Sequence, residues 1–124
     1  MTILIIDTSS ELLHLALSSE EKILVWESSP HSNQLSKFLL PSIETLLQAK
    51  GISKEELRFI AIGTGPGSFN GMRVGAIVGM TLAFGLNIPA IGFSSSYLKK
   101  DPSLLLAQIL DKIAKRDYTI ALSY

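Results

Sequence analysis

The sequence contains no cysteine, which excludes disulfides, thiolate metal sites and a cysteine nucleophile. Charge is scarce and balanced: 18% of residues are charged, and Lys+Arg 11 against Asp+Glu 11 gives a formal net charge of +0. That balance argues against a protein that holds nucleic acid alone, because such proteins present a basic face. Histidine is limited to 2 residues. His14 falls inside a strand pattern and His31 ahead of a helix pattern, with no ligand spacing between them. No basic segment precedes the apolar run of "MTILIIDTSS", so no export signal is read and the expected location is the cytoplasm. No apolar run reads as long enough to span a bilayer, so no membrane is expected.

What is present is a core. With 124 residues, 47% of them hydrophobic, the chain has room for one compact domain. "TILIID" (2–7) is a nearly continuous apolar run ending in an acid, the pattern of a central strand buried on both faces. "ELLHLALSS" (11–19) and "KILVWES" (22–28) follow across short polar gaps, so the opening reads as a three-strand meander with its first strand innermost.

The period then changes. Leu35, Leu39, Ile43, Leu46 and Leu47 recur at helical spacing, with Ser32 or Asn33 as cap, Gly51 as terminator and a kink or break expected at Pro41. Ser53 with the acids of "SKEE" starts a short helix or turn that leads into the strand "RFIAIG" (58–63). A second helix covers 74–87, apolar nearly all round, and the spacing Gly75-x-x-x-Gly79 marks a closely packed face. "IPAIGF" (88–93) is a further short strand, followed by a polar linker. An amphipathic helix runs from about Pro102 to Arg116, with Asp101 as N-cap. "DYTIALS" (117–123) alternates as a last strand. The sum is an α/β domain, a mixed sheet with helices packed on it.

The densest feature is "GTGPGSFNGMR" (63–73). It lacks the Gly-Lys-Ser/Thr end of a Walker loop and the geometry of the dinucleotide fingerprint. It does sit between a strand and a helix, where backbone N–H groups can cradle an anion, with Arg73 near. The alternative is that its glycines let the loop turn sharply and pack under its neighbours. Asp7, followed by Thr8, Ser9 and Ser10, is the best acidic candidate. At a strand's carboxyl end it can hold magnesium through waters, or it can cap its own turn. No G-x-S-x-G elbow is present, and no acid–serine partnership is evident for His31. Both helices carry more apolar surface than one sheet face needs: Phe38 widens the first stripe, and the second offers Val74, Ile77, Val78, Leu82 and Phe84. The excess fits a partner surface.

Three segments together, "ILIIDTSS", "HSNQLSKFLLP" and above all "GTGPGSFNGMRVG", resemble the bacterial TsaB family of tRNA threonylcarbamoyladenosine (t6A) biosynthesis proteins, and "IPAIGFSS" continues the likeness. The resemblance covers about residues 2–96. It implies an actin-like ATPase (ASKHA), ribonuclease-H-like domain. It also implies a non-catalytic role: binding and activating the homologous TsaD-like enzyme that places the N6-threonylcarbamoyl group on tRNA adenosine 37. A TsaE-like ATPase joins that assembly, tRNA is met only through the complex, and the chain pairs with itself when alone. Gly65, Pro66, Gly67, Ser68, Phe69, Gly71, Arg73 and Gly75 match the signature loop, with Asn70 standing where the family has threonine. Asp7 and Thr8 match a degenerate phosphate-loop position. His31 and Ser32 match the head of the first long helix, where the catalytic homologue carries two metal-binding histidines and "NQLSK" here supplies no second one. No catalytic, cofactor or metal residue is therefore expected.

The surface expected to meet TsaD comprises Leu35, Leu39, Ile43, Arg73, Ala76, Gly79, Met80 and Ala83, with the glycines allowing close helix approach. Residues 1–124 are expected to form a single N-terminal lobe. Within it, 97–124 read as a divergent helix and strand in place of the usual start of a second lobe.

Overall fold

The computed structural model describes residues 1–31 and 34–123, and the expected helix caps Ser32 and Asn33 lie outside the described residues. At its centre is β1 (Thr2–Asp7). Ile3 and Ile5 face one side of the sheet, Leu4 and Ile6 the other, and all four are buried. A strand apolar on both faces is stable only between two layers, and that requirement sets the architecture.

β2 (Leu12–Ser18) pairs antiparallel with β1, and β3 (Ile23–Pro30) antiparallel with β2, as the meander predicts. On its other side β1 pairs in parallel with β4 (Leu57–Gly63), which pairs in parallel with β5 (Ala90–Phe93). The sheet order is β3-β2-β1-β4-β5. α1 (Leu35–Ala49) and α2 (Phe69–Leu86) cover the face carrying Leu4 and Ile6. α3 (Pro102–Ala114) covers the face carrying Ile3 and Ile5.

Local signals account for most element ends. Gly51, at φ +65, closes α1: its own N–H donates to Gln48 O at 3.1 Å and the Ile52 N–H to Leu47 O at 3.0 Å, a Schellman arrangement. The Glu56 carboxylate accepts the Ser53 N–H at 2.6 Å and caps the 3-10 turn Lys54–Glu56. Asp101 Oδ1 accepts the Ser103 N–H at 2.9 Å at the start of α3, with Pro102 in the first turn.

Four expectations change. α1 is not divided at Pro41, which lies inside one continuous helix. The lost N–H costs one bond, while Leu39 and Ile43 on either side are fully buried and hold both halves against the sheet. The polar linker after β5 is a 3-10 turn, Ser95–Lys99, whose Ser95 is buried. Residues 117–123 form no strand. They cross over the face of β5, since a Cβ on Gly92 would meet the Thr119 carbonyl oxygen at 3.0 Å, and the Ser123 N–H donates to Thr64 O at 2.7 Å. Ile120 and Leu122 still pack against the α1–α2 core. Finally, α2 is an 18-residue helix long and apolar enough to cross a membrane by length and composition. In this fold it lies along the sheet, with Gly71, Met72, Gly75, Ala76, Gly79 and Ala83 buried.

Candidate functional site

Asp7 ends β1 with its carboxylate fully buried. Oδ1 accepts the Ser9 N–H at 2.9 Å and the Ser9 hydroxyl at 2.7 Å, and Oδ2 accepts the Ser95 hydroxyl at 2.6 Å. Ser95 Oγ in turn accepts the Gly65 N–H at 2.9 Å. The carboxylate thus caps its own turn and ties it to two loops. Gly63 leaves the space it needs, because a Cβ there would fall 1.8 Å from Asp7 Oδ2. With donors on both oxygens, Asp7 is committed to holding the chain together.

The glycine loop packs under the same turn. A Cβ on Gly67 would lie 2.3 Å from the Ser9 carbonyl oxygen, one on Gly71 2.3 Å from that of Thr8, and one on Gly75 2.3 Å from Thr8 Oγ1. Two polar contacts join the segments: the Ser68 N–H donates to Ser9 O at 2.7 Å and the Thr8 hydroxyl to Gly71 O at 2.6 Å. Gly65 has φ +95 and lies beneath the Ser123 carbonyl and Met72. Pro66 follows Gly65 in the exposed part of the loop, and Ser68 caps α2, its hydroxyl accepting the Gly71 N–H at 3.4 Å. Of the two readings of this loop, close packing under its neighbours is what the geometry displays.

A hollow of about 800 Å³ opens beside the turn, lined in part by Ser9, Ser10, Glu11, His31, Ser68 and Asn70. Among the described residues its lining includes a glutamate and no lysine or arginine. His31 lies between β3 and α1, outside the helix, with Nε2 2.7 Å from Ser10 O and its N–H donating to Glu11 O at 3.1 Å. Those bonds fasten the β1–β2 turn to the approach to α1. Among the described residues no three His, Cys, Asp or Glu side chains converge as a metal set.

The residues named for a partner surface divide. Leu35, Leu39, Ile43, Ala76 and Ala83 are buried in the core of this chain, and Gly79 faces the sheet, where a Cβ would meet Ile62 Cδ1 at 2.7 Å. Arg73 and Met80 are exposed. The Arg73 guanidinium lies over the Phe69 ring at 5.2 Å, a cation–π contact that orients the first turn of α2. The accessible apolar surface falls instead to the outer side of the helix pair: Phe38 and Leu40 on α1, Phe69, Ile77, Met80 and Phe84 on α2. Phe84 is 88% exposed. Between the helices a groove of about 580 Å³ is lined by Leu40, Ile77, Val78, Leu82 and Leu86, with Lys54 and Glu55 among its polar members. The sequence did not single out Ser95, because nothing local distinguishes it within "SSSY".

The match to known proteins follows these elements. The family model for TsaD, tRNA N6-adenosine threonylcarbamoyltransferase, matches residues 29–98. The tRNA threonylcarbamoyladenosine biosynthesis protein TsaB of Haemophilus influenzae is 34% identical over 122 residues, covering 94% of this chain and 49% of that protein. Residues 1–96 alone could not supply that share, so the match runs into the tail. The structure of YeaZ from Pseudomonas aeruginosa superposes with a TM-score of 0.69 at 33% identity, over 75% of this chain and 43% of that one. T. thermophilus RuvC in complex with Holliday junction substrate, at 13% identity, shares the fold alone (TM-score 0.56, over 96% of this chain and 82% of that one). The sheet and its helices are thus the actin-like, ribonuclease-H-like α/β fold. This chain spans from 40% to 49% of the length of the curated relatives it matches. By the matched model and these relatives, the chain belongs to the TsaD family, and the relatives it resembles within that family are the TsaB proteins.

Proposed function

We propose that this chain is a non-catalytic subunit of the tRNA t6A machinery, which binds a TsaD-like enzyme and supports its active site. The observation that carries the reading is the apolar outer side of α1 and α2. Leu40, Ile77, Met80 and Phe84 are each more than two-fifths exposed there. An apolar stripe on two neighbouring helices is the surface that a homologous helix pair would cover. The candidate acid supports the non-catalytic part, since Asp7 is buried and bonded on both oxygens.

On this reading Arg73 and Met80 remain partner residues, while the buried six (Leu35, Leu39, Ile43, Ala76, Gly79 and Ala83) shape the surface from beneath. A second copy of the chain uses the same stripe when the enzyme is absent. A TsaE-like ATPase and tRNA join through the complex, and the setting is the cytoplasm. Residues 1–124 act as one lobe, with 97–124 standing in place of the usual start of a second lobe.

The test is a pull-down of the organism's TsaD-like protein, followed by a tRNA modification assay with and without this chain. Co-elution together with loss of t6A on omission is expected. Modification that proceeds unchanged without the chain would sink the reading. Calorimetry with ATP and magnesium separates the competing nucleotide-binding reading, which requires tight binding by this chain alone.

A further inference from the structure

His14 on β2 stands directly across from Asp7 on β1, a spacing of about 4.5–5.5 Å between Cβ atoms. On its other side it meets β3. The Trp26 indole N–H donates to His14 Nδ1 at 3.2 Å, and Ser28 Oγ lies 2.8 Å from the same nitrogen. The Trp26 N–H is shared with Ser28 Oγ at 3.1 Å. An indole N–H can only donate, so the Trp26 bond assigns Nδ1 of the neutral imidazole as the acceptor and the ring proton to Nε2. The two rings meet edge to face, with centroids 5.8 Å apart.

The imidazole therefore lies between two strands that want opposite things of it. β3 needs it neutral, as an acceptor. Asp7, the charged group that acts on it, favours the cation. Burial outweighs Asp7 and holds His14 below its ordinary value of 6.5. Glu27, between Trp26 and Ser28 on β3, alternates to the other face and lines the hollow beside Leu13 and Leu15. Asp7 itself is shared with the loops, through Ser9 and through the Ser95 hydroxyl that accepts the Gly65 N–H.

We propose that His14 and Asp7 form a proton-operated joint between the edge strand and the signature loop. A proton taken from solvent onto Nδ1 turns that acceptor into a donor. Trp26 loses its acceptor, the Ser28 hydroxyl turns from donor to acceptor of the new Nδ1–H, and the imidazolium draws the Asp7 carboxylate away from Ser95. Ser95 keeps its proton, and its bond to the Gly65 amide weakens as its own anchor leaves. The joint links the β2–β3 pairing to the head of the glycine loop, and it operates whatever the chain binds.

Trp26 is the one tryptophan of the chain, so its fluorescence reports the first step, and exchange at the Gly65 amide reports the second. The joint predicts a transition in Trp26 emission with a midpoint below pH 6.5, the ordinary histidine value. It also predicts at least a tenfold fall in the Gly65 protection factor over the same range. His14→Asn keeps an acceptor near the Nδ1 position and His14→Phe keeps the ring contact. Both variants abolish the two transitions. Ser95→Ala, at neutral pH, gives the low protection at Gly65 from the outset. Flat emission, a transition that survives in both His14 variants, or unchanged protection at Gly65 would each overturn the proposal. So would loss of protection spread over β1 and β4, which marks global unfolding.

Discussion

The Ser95 hydroxyl donates to the Asp7 carboxylate at 2.6 Å, joining residues 88 apart in sequence. Both are buried, and the same serine oxygen accepts the Gly65 N–H. Ser95→Ala removes a donor from a buried acid and an acceptor from a backbone amide together. Leaving such groups unpaired costs about 1–3 kcal/mol. Urea unfolding should show that loss as a lower midpoint at unchanged slope. A midpoint equal to the parent's would mean that the bond contributes nothing to stability.

The helical glycines supply an internal comparison. Gly75 has no room for a side chain, since its Cβ would fall 2.3 Å from Thr8 Oγ1 and 3.2 Å from Thr8 Cγ2. Gly85, on the same helix, has nothing within 4 Å. Gly75→Ala should therefore overpack the turn and destabilise by about 1–3 kcal/mol. Gly85→Ala should stabilise by about 0.4–1 kcal/mol, through helix propensity and a less flexible unfolded chain. Thermal melts of the pair test the difference in sign. Equal shifts would contradict the packing of Thr8 on α2.

Legibility in the sequence followed the range of the cause. β1 was readable to its ends because a strand buried on both faces writes an unbroken apolar run. The start of α3 was readable because Asp101 and Pro102 act on adjacent backbone. The inward face of α2 was not. The helix is apolar all round, so periodicity offers no direction, and the usual rule puts the largest side chains inside. Here the backbone lies so close to β4 that Gly79 meets Ile62, and Ile77, Met80 and Phe84 are turned outward. The tail was misread for a related reason: "DYTIALS" alternates, but its position over the face of β5, above Gly92, depends on a contact between distant segments. Ser95 belongs to the same class. Its partner lies at the other end of the chain.

Strong acid should loosen the start of α3. The Ser103 N–H and hydroxyl both donate to Asp101, and the backbone bond first, then the side-chain bond, holds its carboxyl below the ordinary value of 3.8. A depressed value means that the folded state favours the ionised cap. Its contribution is present above the ordinary value and is lost as pH falls through the lowered one. Exchange at the Ser103 amide should speed up, relative to its intrinsic rate, over that acid range and not above it. Asp101→Asn keeps a cap acceptor without a titrating proton, so that variant should show no acid transition. A transition of the same size in the Asn variant would assign it to another group.

The partner surface can be tested without disturbing the fold, because the exposed side chains of α2 have no role in the core. Gly79→Leu is unsuitable for this purpose: it drives a side chain into Ile62 and Ile6, so lost binding would follow from lost packing. Phe84 is 88% and Met80 49% exposed, so Phe84→Glu and Met80→Glu leave the isolated chain folded. If a TsaD-like partner covers them, each change removes an apolar contact and buries a charge. Burial of one such side chain is worth about 1.5–3 kcal/mol, and every 1.4 kcal/mol is tenfold in affinity. Each variant should thus weaken co-elution with the partner by about tenfold or more. Leu104→Glu, on the exposed side of α3 (51% exposed), should leave binding unchanged. Should Phe84→Glu and Met80→Glu bind as tightly as the parent while Leu104→Glu does not, the partner surface lies on the α3 face and the assignment to α1 and α2 fails.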